Sequence, residues 1–478
     1  MHQKRNILIK NADFIVTMNE NRDVFQNASL LISDNKIIEC PSNIETADEI
    51  IDATGKIIFP GFINTHHHFF QTSFRFVDEM QNSPLDKWVA ILGKYAVLMD
   101  ESDWYNSAMT SMAELALSGC TTTTDHCYLI PNNRNNFFDE EVKAASDLGM
   151  RFHPVRGSMT LSKEQGTIFP KEICQDLPTV LSEIERVIKK YHDNSFGSMC
   201  KVAAGPCFPV YPVSSSEEEM KAVMKLCRKY NIRMHTHSAE EIDEYDFTVK
   251  KYGKTPIEYL ESIDCLGEDV WLAHGIFLNK NDIKTIKRTK TSIASCPSAN
   301  SRGAGISKVT EYLNEGIVVG VGVDGAAGND TSNILSELRM LRTLQGAREG
   351  VLQSYLINHN ENTKNLFSKD IINISYLKIE KLLEIATLNG ASCLGREKEI
   401  GSLENGKLAD LVIFDDGDIS HAGSFNRVGS IFSCAPLRAW YTIINGKVIV
   451  KEGELVSLDE KQVVDRQNKT TKKLKSCM

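Results

Sequence analysis

Four segments far apart in this chain each end an apolar, strand-like run on a side chain of metal-ligand type: His66 and His68 in INTHHH, His237 in MHTHSAEE, His274 in WLAHG and Asp324 in VGVGVDG. Such ligands act together only if the strand ends that carry them meet. In a closed (β/α)8 barrel the C-terminal ends of the parallel strands converge on one face, where active sites form. The chain has the runs that such a barrel needs: KIIFPGFINT, GCTTTTDH, MRFHPVRG, CKVAAGPC, NIRMHTH, VWLAHG, TSIASCP and VVGVGVD, eight in all. Between them lie stretches with apolar residues at helical spacing, such as residues 217–230 and 333–347.

The two ends of the chain read differently. From residue 5 to about 58, apolar and polar positions alternate through short runs broken at Asn35 and Gly55, which predicts a small antiparallel β unit. The same texture returns in LADLVIFD and WYTIINGKVIVKEGEL, where Asn445-Gly446 marks a tight hairpin. The expected fold is therefore α/β: a TIM-type barrel over 59–395 with a small β-sandwich domain built from 1–58 and 396–478. The basic tail from Lys461 to Lys475 is expected to be a solvated, frayed end.

Composition excludes several function classes. The chain has 478 residues, 42% hydrophobic and 24% charged, with a formal net charge of −9. That acidic balance argues against an extended nucleic-acid surface. No segment approaches the roughly 18 uninterrupted apolar residues of a membrane span. The N-terminus meets Asn11 and Asp13 too early for a signal-peptide core. The twelve cysteines are scattered, with no CxxC pair, as expected of reduced thiols. A cytoplasmic protein with a small-molecule substrate follows, with no membrane or nucleic-acid partner.

His66 and His68 lie two residues apart, so on a strand both point to one side, while His67 points away and is expected to be structural. His235 and His237 repeat that geometry. Glu240, three residues on, can sit beside a metal without ligating it and move protons between water and substrate. Asp324 ends an apolar strand, where a lone carboxylate is costly to bury and a cation supplies its partner. One divalent metal, with zinc expected and iron the alternative, would lower the pKa of its bound water to about 7. In this reading Asp324 ligates or orients that water and His274 hydrogen-bonds it. A binuclear site would want a bridging group at the end of the fourth strand. The lysine of that run, Lys201, instead starts it, which favours a single metal.

PGFINTHHH, HTHSAEE, LAHG, CPSAN and GVDG, in that order, together with the terminal GSLENGKLADLVIFD, resemble the amidohydrolase superfamily, in its cytosine/guanine deaminase branch, over essentially the whole chain. The resemblance implies His66, His68, His237 and Asp324 as metal ligands, Glu240 as proton shuttle and His274 as partner of the hydrolytic water. It also implies hydrolytic loss of ammonia from a heterocycle, and suggests a homo-oligomer. Within the branch, HHHFFQTSFR, DHCYLIP, RFHPVRGSMT and GVDGAAGNDTSN look most like the 8-oxoguanine, isoxanthopterin and hydroxyatrazine-type enzymes. Guanine deaminases keep an Arg-Phe pair after the fourth strand where this chain has Cys207-Phe208, which points away from plain guanine. 8-Oxoguanine is the expected substrate, with isoxanthopterin, guanine or an s-triazine as alternatives. Gln71 lies where guanine deaminases place a base-contacting glutamine, and Trp88 is a candidate lid or stacking wall. Arg156, His126 and Asn329 fall near predicted strand ends with no assigned role.

Overall fold

The computed structural model describes residues 5–132, 134–211, 214–358 and 377–477. Eight parallel strands close into the expected barrel: β6 (Phe62–Asn64), β7 (Cys120–Cys127), β8 (Arg151–Ser158), β9 (Ala203–Pro206), β10 (Met234–Ser238), β11 (Val270–His274), β12 (Ser292–Ser295) and β13 (Val319–Val321). Each coincides with one of the runs read from the sequence. Every residue of these strands is buried. This is the expected state for parallel strands enclosed by helices.

Between strands, local signals place the helices. The helix Glu217–Tyr230 starts where the Ser216 side chain accepts from the Glu219 N–H, carries three acids in its first turn, and stops at left-handed Asn231. Two glycines let the barrel wall close around the site. A Cβ at Gly322 would lie 2.6 Å from the His66 Cβ, and one at Gly205 would lie 1.8 Å from the His235 carbonyl oxygen.

The chain ends combine in a nine-stranded sheet: β1 (Asn6–Val16), β2 (Val24–Ser33), β3 (Lys36–Glu39), β4 (Glu49–Asp52), β5 (Lys56–Pro60), β14 (Leu411–Asp415), β15 (Tyr441–Ile444), β16 (Lys447–Lys451) and β17 (Glu454–Leu455). An apolar cluster drawing on both ends, with Ile7, Ile9, Ile32, Leu411, Ile413 and Ile443, sits on it. The Asn445-Gly446 hairpin joins β15 to β16 as expected. The N-terminal unit is not purely antiparallel, because β1 pairs in parallel with both β4 and β5. The connection after β3 carries the chain across before β4 begins, so β4 runs in the same direction as β1. The run KIIFPGFINT divides at Gly61: β5 joins the terminal sheet through β14, and β6 opens the barrel. A buried bidentate pair locks the two parts together, with Arg151 Nε 2.6 Å and Nη2 2.9 Å from the Asp410 carboxylate oxygens.

The basic tail departs from expectation. It is a helix, Glu460–Lys475, capped by Asp459 and packed on the helix Glu101–Leu117. Leu474 is buried, Thr470 donates to Asp103 at 3.0 Å, Lys473 lies 2.6 Å from Asp100, and Gln467 donates to Ser73 Oγ at 2.9 Å. Ser73 belongs to the short turn Phe69–Phe74 that follows the histidine triplet, so the tail braces the wall of the site. Among the described residues no helix is long and apolar enough to cross a membrane.

Candidate active site

The C-terminal ends of β6, β10, β11 and β13 bring His66, His68, His237, His274 and Asp324 to one place, as the sequence predicted. His237 Nε2 lies 3.2 Å from His68 Nε2, and Asp324 Oδ1 lies 3.5 Å from both His66 Nε2 and His68 Nε2. Four donors bonded tetrahedrally at about 2.0–2.1 Å to zinc stand about 3.3–3.4 Å apart. The separations in this site are of that size.

The hydrogen bonds behind the rings fix their tautomers. His68 Nδ1 donates to the His126 carbonyl at 2.9 Å and His237 Nδ1 to the Cys207 carbonyl at 2.8 Å. Each ring therefore turns an unprotonated Nε2 toward the centre. His66 reaches the same state through a relay. His235 Nδ1 donates to the Trp271 carbonyl at 2.8 Å, which leaves His235 Nε2 free to accept from His66 Nδ1 at 2.8 Å. His66 Nε2 is then a buried lone pair with no hydrogen-bond partner. Burial holds all three rings well below the ordinary histidine pKa, and hence neutral. Two ring nitrogens with no proton between them repel at 3.2 Å. A cation among the three lone pairs and the Asp324 carboxylate resolves that repulsion, so the donor set fits one divalent metal. Lys201 pairs with Glu399 at 2.6 Å before β9 begins, far from any bridging position.

Strained backbone supports the arrangement. Ala239, His274 and Asp324 all adopt positive φ, at 53°, 73° and 62°. These are costly conformations for non-glycine residues, and here they cluster at strand ends that carry the site. Asp324 is held on two sides, by its own N–H donating to the His66 carbonyl at 3.1 Å and by the Gly325 N–H donating to its Oδ1 at 2.6 Å.

Glu240 Oε1 lies 3.6 Å from His274 Nε2, and His274 Nδ1 donates to Asn300 Oδ1 at 2.8 Å. Burial, and then the nearby Asp324 charge, push the Glu240 carboxyl well above the usual range, so the group can hold a proton. The two residues face a cavity of about 280 Å³ that is also lined by Gln71, Trp88, Tyr128 and Phe208. Gln71 Nε2 donates to Tyr128 Oη at 3.3 Å, while its buried Oε1 has no hydrogen-bond partner. The Tyr128 ring lies 4.6 Å from that of His68, and Phe208 lies 4.9 Å from His237.

The residues left without a role sort by position. Arg156 is buried and donates to Gln175 at 2.7 Å, outside the cavity lining. His126 packs beside His68 and His237, with ring centroids 5.9 and 5.1 Å away. Asn329 donates to the Val323 carbonyl at 2.5 Å and so steadies the strand end that presents Asp324. His67 is structural: its Nδ1 accepts from the His68 N–H at 2.7 Å and its Nε2 meets Ser332 at 3.0 Å. Sequence reasoning missed Tyr128, Asn300 and the relay through His235. The HxH spacing of His235 and His237 was the one visible sign of the relay.

Comparison with known proteins agrees with this geometry. Residues 57–451 match the amidohydrolase family. The chain is 33% identical to the 8-oxoguanine deaminase of Pseudomonas aeruginosa over 442 residues, covering 91% of this chain and 92% of that protein. It is 31% identical to the hydroxydechloroatrazine ethylaminohydrolase of Pseudomonas sp. (strain ADP) over 463 residues, 92% and 90% of the two chains. The crystal structure of atrazine chlorohydrolase from Arthrobacter aurescens TC1, complexed with zinc, superposes with a TM-score of 0.87 at 26% identity, covering 97% of this chain and all of that one. With a closed eight-stranded barrel, a donor cluster at its C-terminal mouth and a family match over most of its length, this chain belongs to the amidohydrolase family.

Proposed function

We propose that the protein is a hydrolytic deaminase of a purine- or pterin-like heterocycle, and that 8-oxoguanine is its substrate, converted with one water to urate and ammonia. The observation that carries the reading is the convergence of three neutral imidazole lone pairs and the Asp324 carboxylate beside Glu240, on the floor of a cavity walled by aromatic rings. His66, His68, His237 and Asp324 would hold the metal, zinc in this reading. When bound, such a cation supplies Lewis acidity and makes water acidic enough to react near neutral pH.

The chain's own groups supply the rest. His274, fixed by Asn300, directs a lone pair toward the position between itself and Glu240, where it can orient the attacking water. Glu240, whose carboxyl pKa burial raises, can give a proton to a ring nitrogen and later carry one from water to the departing amine, which leaves as ammonia. Gln71 offers an unpartnered amide oxygen to a ring N–H while Tyr128 engages its NH₂. Cys207 lies beneath His237, with its Sγ 3.8 Å from Nδ1, so that position presents no cation to a purine carbonyl. The relative named as an 8-oxoguanine deaminase supports this choice of ring.

Ammonia release by the metal-loaded protein from 8-oxoguanine, guanine, isoxanthopterin, cytosine and hydroxyatrazine tests the reading. The highest kcat/KM is expected for 8-oxoguanine. Preference for isoxanthopterin would keep the mechanism and change the substrate. Alkylamine release from a triazine, with no ammonia from any bicyclic ring, would overturn the assignment.

A further inference from the structure

The opposite mouth of the barrel holds a second cavity of about 580 Å³ at the N-terminal ends of the strands. That end of such barrels ordinarily serves stability, and its polar groups are then paired. Here several are not. His192 Nδ1 accepts from the Val202 N–H at 3.0 Å, which places the ring proton on Nε2; that buried Nε2 makes no hydrogen bond of normal geometry, although the Asn194 side chain lies beside the ring. Arg233, immediately before β10, gives Nη2 to the Glu268 carbonyl at 2.6 Å, but its buried Nε–H has no acceptor, and among the described residues no carboxylate pairs with it. His153 on β8 is 2% exposed, with Nδ1 unpartnered.

Asp269, Glu397 and Glu268 act on Arg233 from a distance, but none of them forms a salt bridge with it. Glu268 is exposed and lies 3.5 Å from Lys290, Asp269 lies 3.2 Å from Arg228, and Glu397 is exposed. The cations that bear on His153 are Arg396, Arg233 and Lys201; Arg396 and Lys201 pair with Glu399, at 2.8 and 2.6 Å, and among the described residues Arg233 has no such partner. Leaving a half-buried guanidinium without a directly paired carboxylate is expensive. Water could accept from the free N–H groups but would not offset that charge.

We infer that this cavity is a binding site for a small phosphate-class oxyanion, held by the free N–H donors of Arg233 and His192 with the His153 ring beside them. Arginine suits such an ion because its planar fork matches the oxygen spacing. The site lies under β10 and β11, whose far ends carry His237 and His274, and it shares no residue with the catalytic cavity.

Titration of the full-length, metal-loaded protein with inorganic phosphate by isothermal calorimetry tests this. One saturable site per chain is expected. Arg233→Gln and His192→Gln should each weaken it by about tenfold or more, with turnover of the ring substrate unchanged. Arg233→Lys, which keeps the charge and loses the Nε–H, should fall in between. Acetate should bind at least about tenfold more weakly than phosphate. Three results would overturn the inference: no saturable binding, binding indifferent to all three substitutions, or binding that vanishes when the metal is stripped, which would place the phosphate at the catalytic centre. Equal affinity for acetate would refute the phosphate assignment.

Discussion

His235 offers no atom to the metal and does not line the catalytic cavity, yet the geometry makes it a determinant of metal affinity. Its Nε2 is the acceptor that keeps the His66 proton on Nδ1, and its own Nδ1 is tied to the Trp271 carbonyl. His235→Phe preserves a flat ring, which can keep stacking on Trp271, now 4.4 Å away with planes 9° apart. It removes the acceptor for His66 and, with it, the donor to the Trp271 carbonyl. The His66 Nδ1–H would then be buried without a partner, at a cost of about 1–3 kcal/mol, or the proton would move to Nε2 and cancel the ligand lone pair. At about 1.4 kcal/mol per tenfold, metal binding should weaken by roughly 10- to 100-fold. Competition against a chromophoric chelator reads that directly, and the unfolding midpoint of the metal-free protein controls for packing damage. At saturating metal, turnover per bound ion should stay within about tenfold of wild type. An affinity within about twofold of wild type would refute the relay.

Three further substitutions test other parts of the account. Gln71→Leu should lower kcat/KM for the purine by about 10- to 100-fold with metal content unchanged; an unchanged kcat/KM removes Gln71 from substrate binding. Leu474→Ala should cost about 2–4 kcal/mol if the tail helix is docked as described, read as a lower denaturant midpoint, whereas no change would mean that the tail frays. Glu219 is buried against Ser158 and Thr160, and burial raises its pKa above the ordinary carboxylate value of 4.5. A raised folded-state pKa contributes stability below the unfolded value that is lost as pH rises through the folded value. The stability advantage of wild type over Glu219→Gln should therefore shrink as pH rises above 4.5, as measured by urea unfolding; a growing advantage would contradict the sign.

The barrel was legible because its strands are short runs rich in apolar and β-branched residues that end in punctuation, so β6 to β13 coincide with runs visible in the sequence. The convergence of His66, His68, His237, His274 and Asp324 followed from strand-end placement alone. What did not show were contacts between side chains remote in sequence. His66 meets His235 across 169 positions, and Gln71 meets Tyr128 across 57; no local spacing encodes either. The tail misled for a different reason. Glu460–Lys475 has few apolar residues, and Leu474 and Thr470 gain meaning only against Asp103 and the helix they cover. The parallel pairing of β1 was likewise hidden, because it depends on where the chain re-enters after β3.

The most direct test of the central claim compares wild type and Glu240→Gln for ammonia release from 8-oxoguanine, each assayed metal-stripped and then reconstituted with zinc to a measured stoichiometry. The account predicts one metal per chain in both proteins. It also predicts ammonia formed mole for mole with substrate lost by reconstituted wild type only, and a rate at least about a thousandfold lower in the variant. Full activity without metal, or wild-type turnover by Glu240→Gln, would contradict it.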